Sequence, residues 1–157
     1  MNAESIAAIV ISVVSIIFSV VTYMKTVVHD RKRDTLDAYN RLQNEALDHL
    51  NQYLPAKMKE IASGSTTSPE YKEISGYIAR IEHFCAGVTT RIYDKKVVYE
   101  LAHGYLDKDT ILNRINPFLE KKNKADEYYN NIPIVIQMMR SEEKDRQEKQ
   151  AKKLHHK

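Results

Sequence analysis

Three observations predict an all-α chain in which one N-terminal transmembrane helix continues into a cytoplasmic helical domain. Residues 5–24, SIAAIVISVVSIIFSVVTYM, contain no charged residue, Gly or Pro. After them no Gly or Pro occurs until Pro55. Apolar spacings of three and four recur along the rest of the chain, and no stretch alternates apolar and polar residues over a useful strand length.

The first of these elements is a membrane span by length. Twenty residues at about 1.5 Å each cross roughly 30 Å of hydrocarbon. Only Met1, Asn2, Ala3 and Glu4 precede it, with no basic residue, and no small-x-small triplet follows it, so a retained anchor is expected rather than a cleaved signal. Lys25, Arg31, Lys32 and Arg33 lie just after the span, which predicts a cytoplasmic C-terminal part and an outer N-terminus. The same basic run suits contact with lipid headgroups.

The hydroxyls of the span are placed on one line. Ser5, Ser12, Ser15, Ser19 and Thr22 are its polar side chains up to residue 22. With Ser5 at heptad position a, Ser12 and Ser19 also fall at a, and Ala8, Ser15 and Thr22 at d. The bulky aliphatic residues occupy the other positions, where they can face lipid. Such a seam has two uses. Small hydroxyl residues let two helices approach and hydrogen-bond in a dry contact. Around a shared axis of three or more helices they would line a water-filled pore, polar enough to wet and uncharged enough to let ions leave. Both uses remain open at this point.

Residues 25–62 form a membrane-proximal helical segment. Leu36, Tyr39, Leu42, Ala46, Leu47, Leu50, Tyr53 and Leu54 recur at helical spacing. Carrying the heptad onward places Thr26, Arg33, Asn40, Leu47 and Leu54 at a and His29, Leu36, Gln43 and Leu50 at d. Residues 63–139 form the cytoplasmic helical domain. SGSTTSP is a loop in which Ser68 can cap the next helix, with Pro69 at its first position. Ile74, Ile78, Ile81, Phe84, Cys85 and Val88 then make one apolar stripe. Asp94 is placed to cap KKVVYELAHGYL, which Gly104 is expected to end or loosen. Asp107 can cap a further segment that Pro117 should kink or break. Asn131 and Pro133 restart a helix, and residues 140–157 are a charged helical end or a tail.

Composition narrows the chemistry. A net charge of +3 is too small to imply nucleic-acid binding by itself. Four Gly in 157 residues argue against Gly-rich phosphate loops. The one cysteine, Cys85, rules out an intrachain disulfide. No P-loop, HExxH, GxSxG or paired CxxC occurs, and His83 and Cys85 point to different faces of one helix, so no enzyme activity, metal or cofactor is expected.

The run YIARIEHFCAGVTTRIYDKKVVYELAHGYL, followed by INPFLEKKN, resembles an uncharacterised bacterial family of membrane-anchored helical proteins, a domain of unknown function. Ile81, Glu82 and Phe84 match its aromatic-Glu helix, Ile92, Tyr93, Asp94, Val98 and Leu101 its next segment, and Pro117, Phe118 and Leu119 its "pfl" stretch. The resemblance spans roughly residues 1 to 140, and no catalytic residue comes with it. In layout the chain also resembles the membrane channel effectors of Hailong-type anti-phage defence. That resemblance implies a partner nucleotidyltransferase and a single-stranded DNA oligomer that gates the channel.

Such a ligand needs cations for phosphates and flat faces for bases. Two stretches interleave them: Arg91, Tyr93, Lys95 and Lys96 in the first, and Lys121, Lys122, Lys124, Tyr128 and Tyr129 in the second. The structural alternative is that the lysines are ordinary surface and the tyrosines core. Two functions follow as expectations. One is an oligomeric ion-channel effector, with itself, the bilayer and the oligonucleotide as partners. The other is an anchored scaffold that dimerises through the seam and recruits a protein.

Overall fold

The computed structural model describes residues 3–106, 111–126 and 129–155, with the side chains of 9–103, 111, 114–121 and 129–153. All elements among these residues are helical. α1 (Ala3–Leu42) runs through a π-helical turn (Gln43–Leu47) into α2 (Asp48–Asn51). α3 (Pro55–Ser63), α4 (Pro69–Thr89), α5 (Lys95–Leu106), α6 (Leu112–Asp126) and α7 (Asn131–His155) follow. α4 packs most extensively on α7, α3 on α6, and α1 on α4 and α5.

The absence of Gly and Pro before Pro55 gives one continuous rod from α1 through α2. Between Ile9 and Asn51 it has 43 residues, about 65 Å of helix. Every side chain from residue 9 to residue 34 is exposed. Ile9, Ile11, Ile16, Phe18 and Tyr23 are each more than half exposed, so the apolar part of the rod has nothing of this chain against it. It is long and apolar enough to cross a membrane.

Burial begins abruptly at Thr35 and continues through Tyr39, Leu42, Ala46, Leu47 and Leu50. The heptad carried down from the apolar stretch marks this face only at Leu47 and Leu50. Arg33, Leu36, Asn40 and Leu54 are exposed, and Gln43 is half-buried. Two physical reasons account for the difference. A straight helix drifts about 20° per heptad from a 3.5-residue repeat. The π turn also holds one residue more than an α turn, setting the sequence back by about 100°. That offset brings Leu47 and Leu50 onto the face begun by Thr35, Tyr39 and Leu42.

The central α4 buries the whole expected stripe, with Ile74, Ile78, Ile81 and Val88 at 0% exposure. Each such side chain contributes about 1.5–3 kcal/mol of burial. Ser68 accepts a hydrogen bond from the Tyr71 N–H at 3.2 Å, and Pro69 occupies the first turn. Asp94 Oδ1 accepts from the N–H groups of Lys96 and Val97 at 2.9 and 3.2 Å, capping α5. Neither Gly104 nor Pro117 interrupts its helix. α5 continues through Gly104 to Leu106, and α6 runs through Pro117 to Asp126. Around Pro117 the buried Ile115, Phe118 and Leu119 supply enough apolar burial to offset the roughly 3 kcal/mol that an interior proline costs. The Asp107 cap lies outside the described residues. α7 starts at Asn131 as expected, and the charged segment is its helical continuation to His155. Its side chains reach α5: Glu143 accepts from the Tyr99 hydroxyl at 2.6 Å, and Arg146 pairs with Glu100 at 2.7 Å.

Candidate functional site

The hydroxyl seam is the first candidate. Ser12, Ser15, Ser19 and Thr22 are all exposed on α1, and the side chain of Ser5 lies outside the described residues. The Ser19 hydroxyl donates to the Ser15 carbonyl at 2.8 Å, and Thr26 does the same to Thr22 at 3.1 Å. A hydroxyl that donates within its own helix still offers its lone pairs outward. At 100° per residue, the mean direction of Ser12, Ser15, Ser19 and Thr22 is roughly 170° from that of Thr35, Tyr39 and Leu42. The helical domain therefore clamps α1 on the side away from the hydroxyls. On the hydroxyl side the rod stays uncovered beyond the apolar stretch as well, through the exposed Thr26, Asp30, Arg33, Asp37, Asn40 and Asn44.

The two cation-tyrosine stretches separate into free and committed residues. Arg91 is exposed at the turn between α4 and α5 with φ of 65°, a left-handed conformation that side chains other than Gly rarely take. Lys95 and Lys96 are exposed on the first turn of α5. Tyr93 is half-buried, its ring stacked on Phe84 at 5.2 Å between centroids. Lys121 is committed: its ammonium donates to the carbonyls of Ala62 and Gly64 at 2.8 and 3.0 Å, where α3 ends, and lies 5.1 Å over the Tyr71 ring. Tyr129 is 7% exposed and belongs to the core. The side chains of Lys122 and Lys124, and the whole of Tyr128, lie outside the described residues.

The family-like motif residues hold the fold. Glu82 Oε1 accepts from the Asn131 N–H and Nδ2 at 2.9 and 2.7 Å, and Oε2 accepts from the Ile132 N–H at 3.0 Å, so one carboxylate caps α7 from α4. Thr35, a buried polar residue of α1, donates to the Arg31 carbonyl at 2.6 Å and accepts from the Asp94 N–H at 2.8 Å. It fixes the rod to the start of α5. Burial pushes the Cys85 thiol far above its ordinary range, with the Glu82 charge adding to the effect. His83 is exposed and Cys85 buried, on opposite sides of α4.

Sequence reasoning missed a groove of about 440 Å³ where α1 meets α4. Arg41, Glu45, Arg80, His83, Phe84 and Tyr93 line it together with aliphatic groups. Its cations come from separate helices, so no local spacing announces them.

Comparison with known proteins gives one match. No characterised protein and no solved structure matches the chain. The family model for a domain of unknown function, DUF4760, matches residues 7–145, which include the apolar rod, the Glu82 and Asp94 caps and most of α7. The chain therefore belongs to the DUF4760 family.

Proposed function

We propose that this protein is a homo-oligomeric membrane channel. Three or more α1 helices surround a pore lined by Ser12, Ser15, Ser19 and Thr22, and the cytoplasmic helical domain controls it. The carrying observation is the bare hydroxyl face, set opposite the face on which the domain packs. In a ring with the hydroxyls inward, the bundles stand outside the rods and do not obstruct the axis. The basic residues just after the apolar stretch, Lys25 and Arg31 to Arg33, favour a cytoplasmic domain. The resemblance to anti-phage channel effectors adds an oligonucleotide as ligand and defence as the setting.

A second reading, an anchored dimeric scaffold, is favoured by the internal bond from Ser19 to Ser15, which lets the seam pack dry. The particle mass in detergent and ion flux into liposomes separate the two. A conducting assembly of three or more copies that stops conducting with Ser15→Leu and Ser19→Leu supports the channel. A non-conducting dimer refutes it.

A further inference from the structure

We infer that the groove between α1 and α4 binds a nucleotide-class ligand, a phosphate attached to a flat ring. The chemistry on its walls is divided accordingly. Arg41 and His83 are exposed at the mouth, and Phe84 and Tyr93 form an aromatic floor stacked at 5.2 Å. A volume near 440 Å³ falls within the roughly 300–1,000 Å³ typical of small-molecule sites.

The Arg41 side chain makes no ion pair or hydrogen bond among the described residues, although Asp37 and Glu45 stand four positions to either side. At that spacing a helical arginine ordinarily finds its carboxylate. Arg80, from α4, donates to the Glu45 carbonyl at 2.8 Å and lies 3.6 Å from the Glu45 carboxylate. That carbonyl belongs to the π turn, a geometry that recurs at functional sites. The groove thus holds one unpaired guanidinium and a second one tied to the weakest-wound part of the rod. A phosphate bridging Arg41 and Arg80 gains charge-assisted bonds to both and competes with Glu45 for Arg80. The binding site stands independently of the pore. Transmission of binding to conduction rests on the channel reading.

The test uses the full chain in detergent micelles and titration calorimetry with ATP, tripolyphosphate, adenosine and a short 5′-phosphorylated oligonucleotide. ATP is expected to bind more tightly than tripolyphosphate, and adenosine weakly. Whether the oligonucleotide outcompetes ATP tells a strand terminus from a free nucleotide as the source. Arg41→Gln and His83→Gln, both exposed and expected to keep the native helical signal, should each weaken ATP binding about tenfold or more. Lys59→Gln, on a separate groove beside Lys121, should leave it unchanged. Absence of ATP binding, equal binding of tripolyphosphate and ATP, or equal loss with Lys59→Gln overturns the site. ATP binding to a non-conducting dimer would keep the site and remove the channel, whereas a conducting oligomer without ATP affinity would do the reverse.

Discussion

Replacing Glu82 tests how the domain is held together. Its carboxylate receives three hydrogen bonds from the first residues of α7, at 2.7–3.0 Å. Glu82→Ala leaves the N–H groups of Asn131 and Ile132 without their acceptor in a half-buried setting. Loss of an N-terminal cap costs about 0.5–2 kcal/mol, and removing a negative charge from the positive end of the helix adds about 0.3–1 kcal/mol. A total near 2 kcal/mol is expected, which for a chain of this size lowers Tm by roughly 4–8 °C. Glu82→Gln keeps one acceptor oxygen but turns an NH2 group toward a backbone donor, so it should lose about half as much. Thermal melts of the detergent-solubilised protein, followed by circular dichroism, measure both. A loss below about 0.5 kcal/mol for Glu82→Ala would show that α7 is held by apolar packing alone.

Thr35→Val keeps the shape of the side chain but strands the Asp94 N–H, and should cost about 1–3 kcal/mol in a denaturant titration. Gly87 lies under the Tyr93 ring, where a methyl group would come 2.6 Å from Cδ2. Gly87→Ala is therefore expected to destabilise by about 1–3 kcal/mol, and Gly87→Ala with Tyr93→Ala to recover part of that loss. Native Cys85 should resist thiol reagents that label it at once in denaturant. Because its folded value lies above the ordinary thiol value near 9.0, the unfolded chain loses that proton first. Stability should therefore fall as pH rises above about 9; a flat profile there, with Cys85→Ala as reference, counts against burial of the thiol.

What was legible in the sequence was local. Ser68 and Asp94 each cap a helix that begins at the next residue, so their spacing alone announces them. The α4 stripe was legible because burial on one face repeats with the helix. The caps that cross the bundle were not. Glu82 and Asn131 are 49 residues apart, and Lys121 and Ala62 are 59 apart. Arg114 reaches the Asn51 carbonyl over 63 residues. In sequence, a lysine that closes a distant helix end looks like a lysine waiting for a phosphate, as Lys121 did. The π turn was equally hidden, since QNEAL suits an ordinary α-helix. It is visible only through which residues of the rod are buried. Pro117 and Gly104 show the opposite case: each is a strong local signal against helix, yet α6 and α5 run through them.

The five residues from Gln43 to Leu47 also set the bearing of everything above them. Wound as an α-helix, the same residues would turn the upper shaft by about 100° and advance it by about 1.5 Å along its own axis. Such a turn would carry Thr35, Tyr39 and Leu42 off the face that α4 and α5 cover and break the bond from the Asp94 N–H to Thr35, so the bundle must release the upper shaft as it rewinds. A helix apolar enough to cross a membrane, mounted above such a joint, would then present its serines or its valines to a neighbour by a change of winding in one turn. Deleting Asn44 would fix the joint in α form without altering the present bearing; under the channel reading, conduction that then no longer responds to ATP would identify this turn as the moving part.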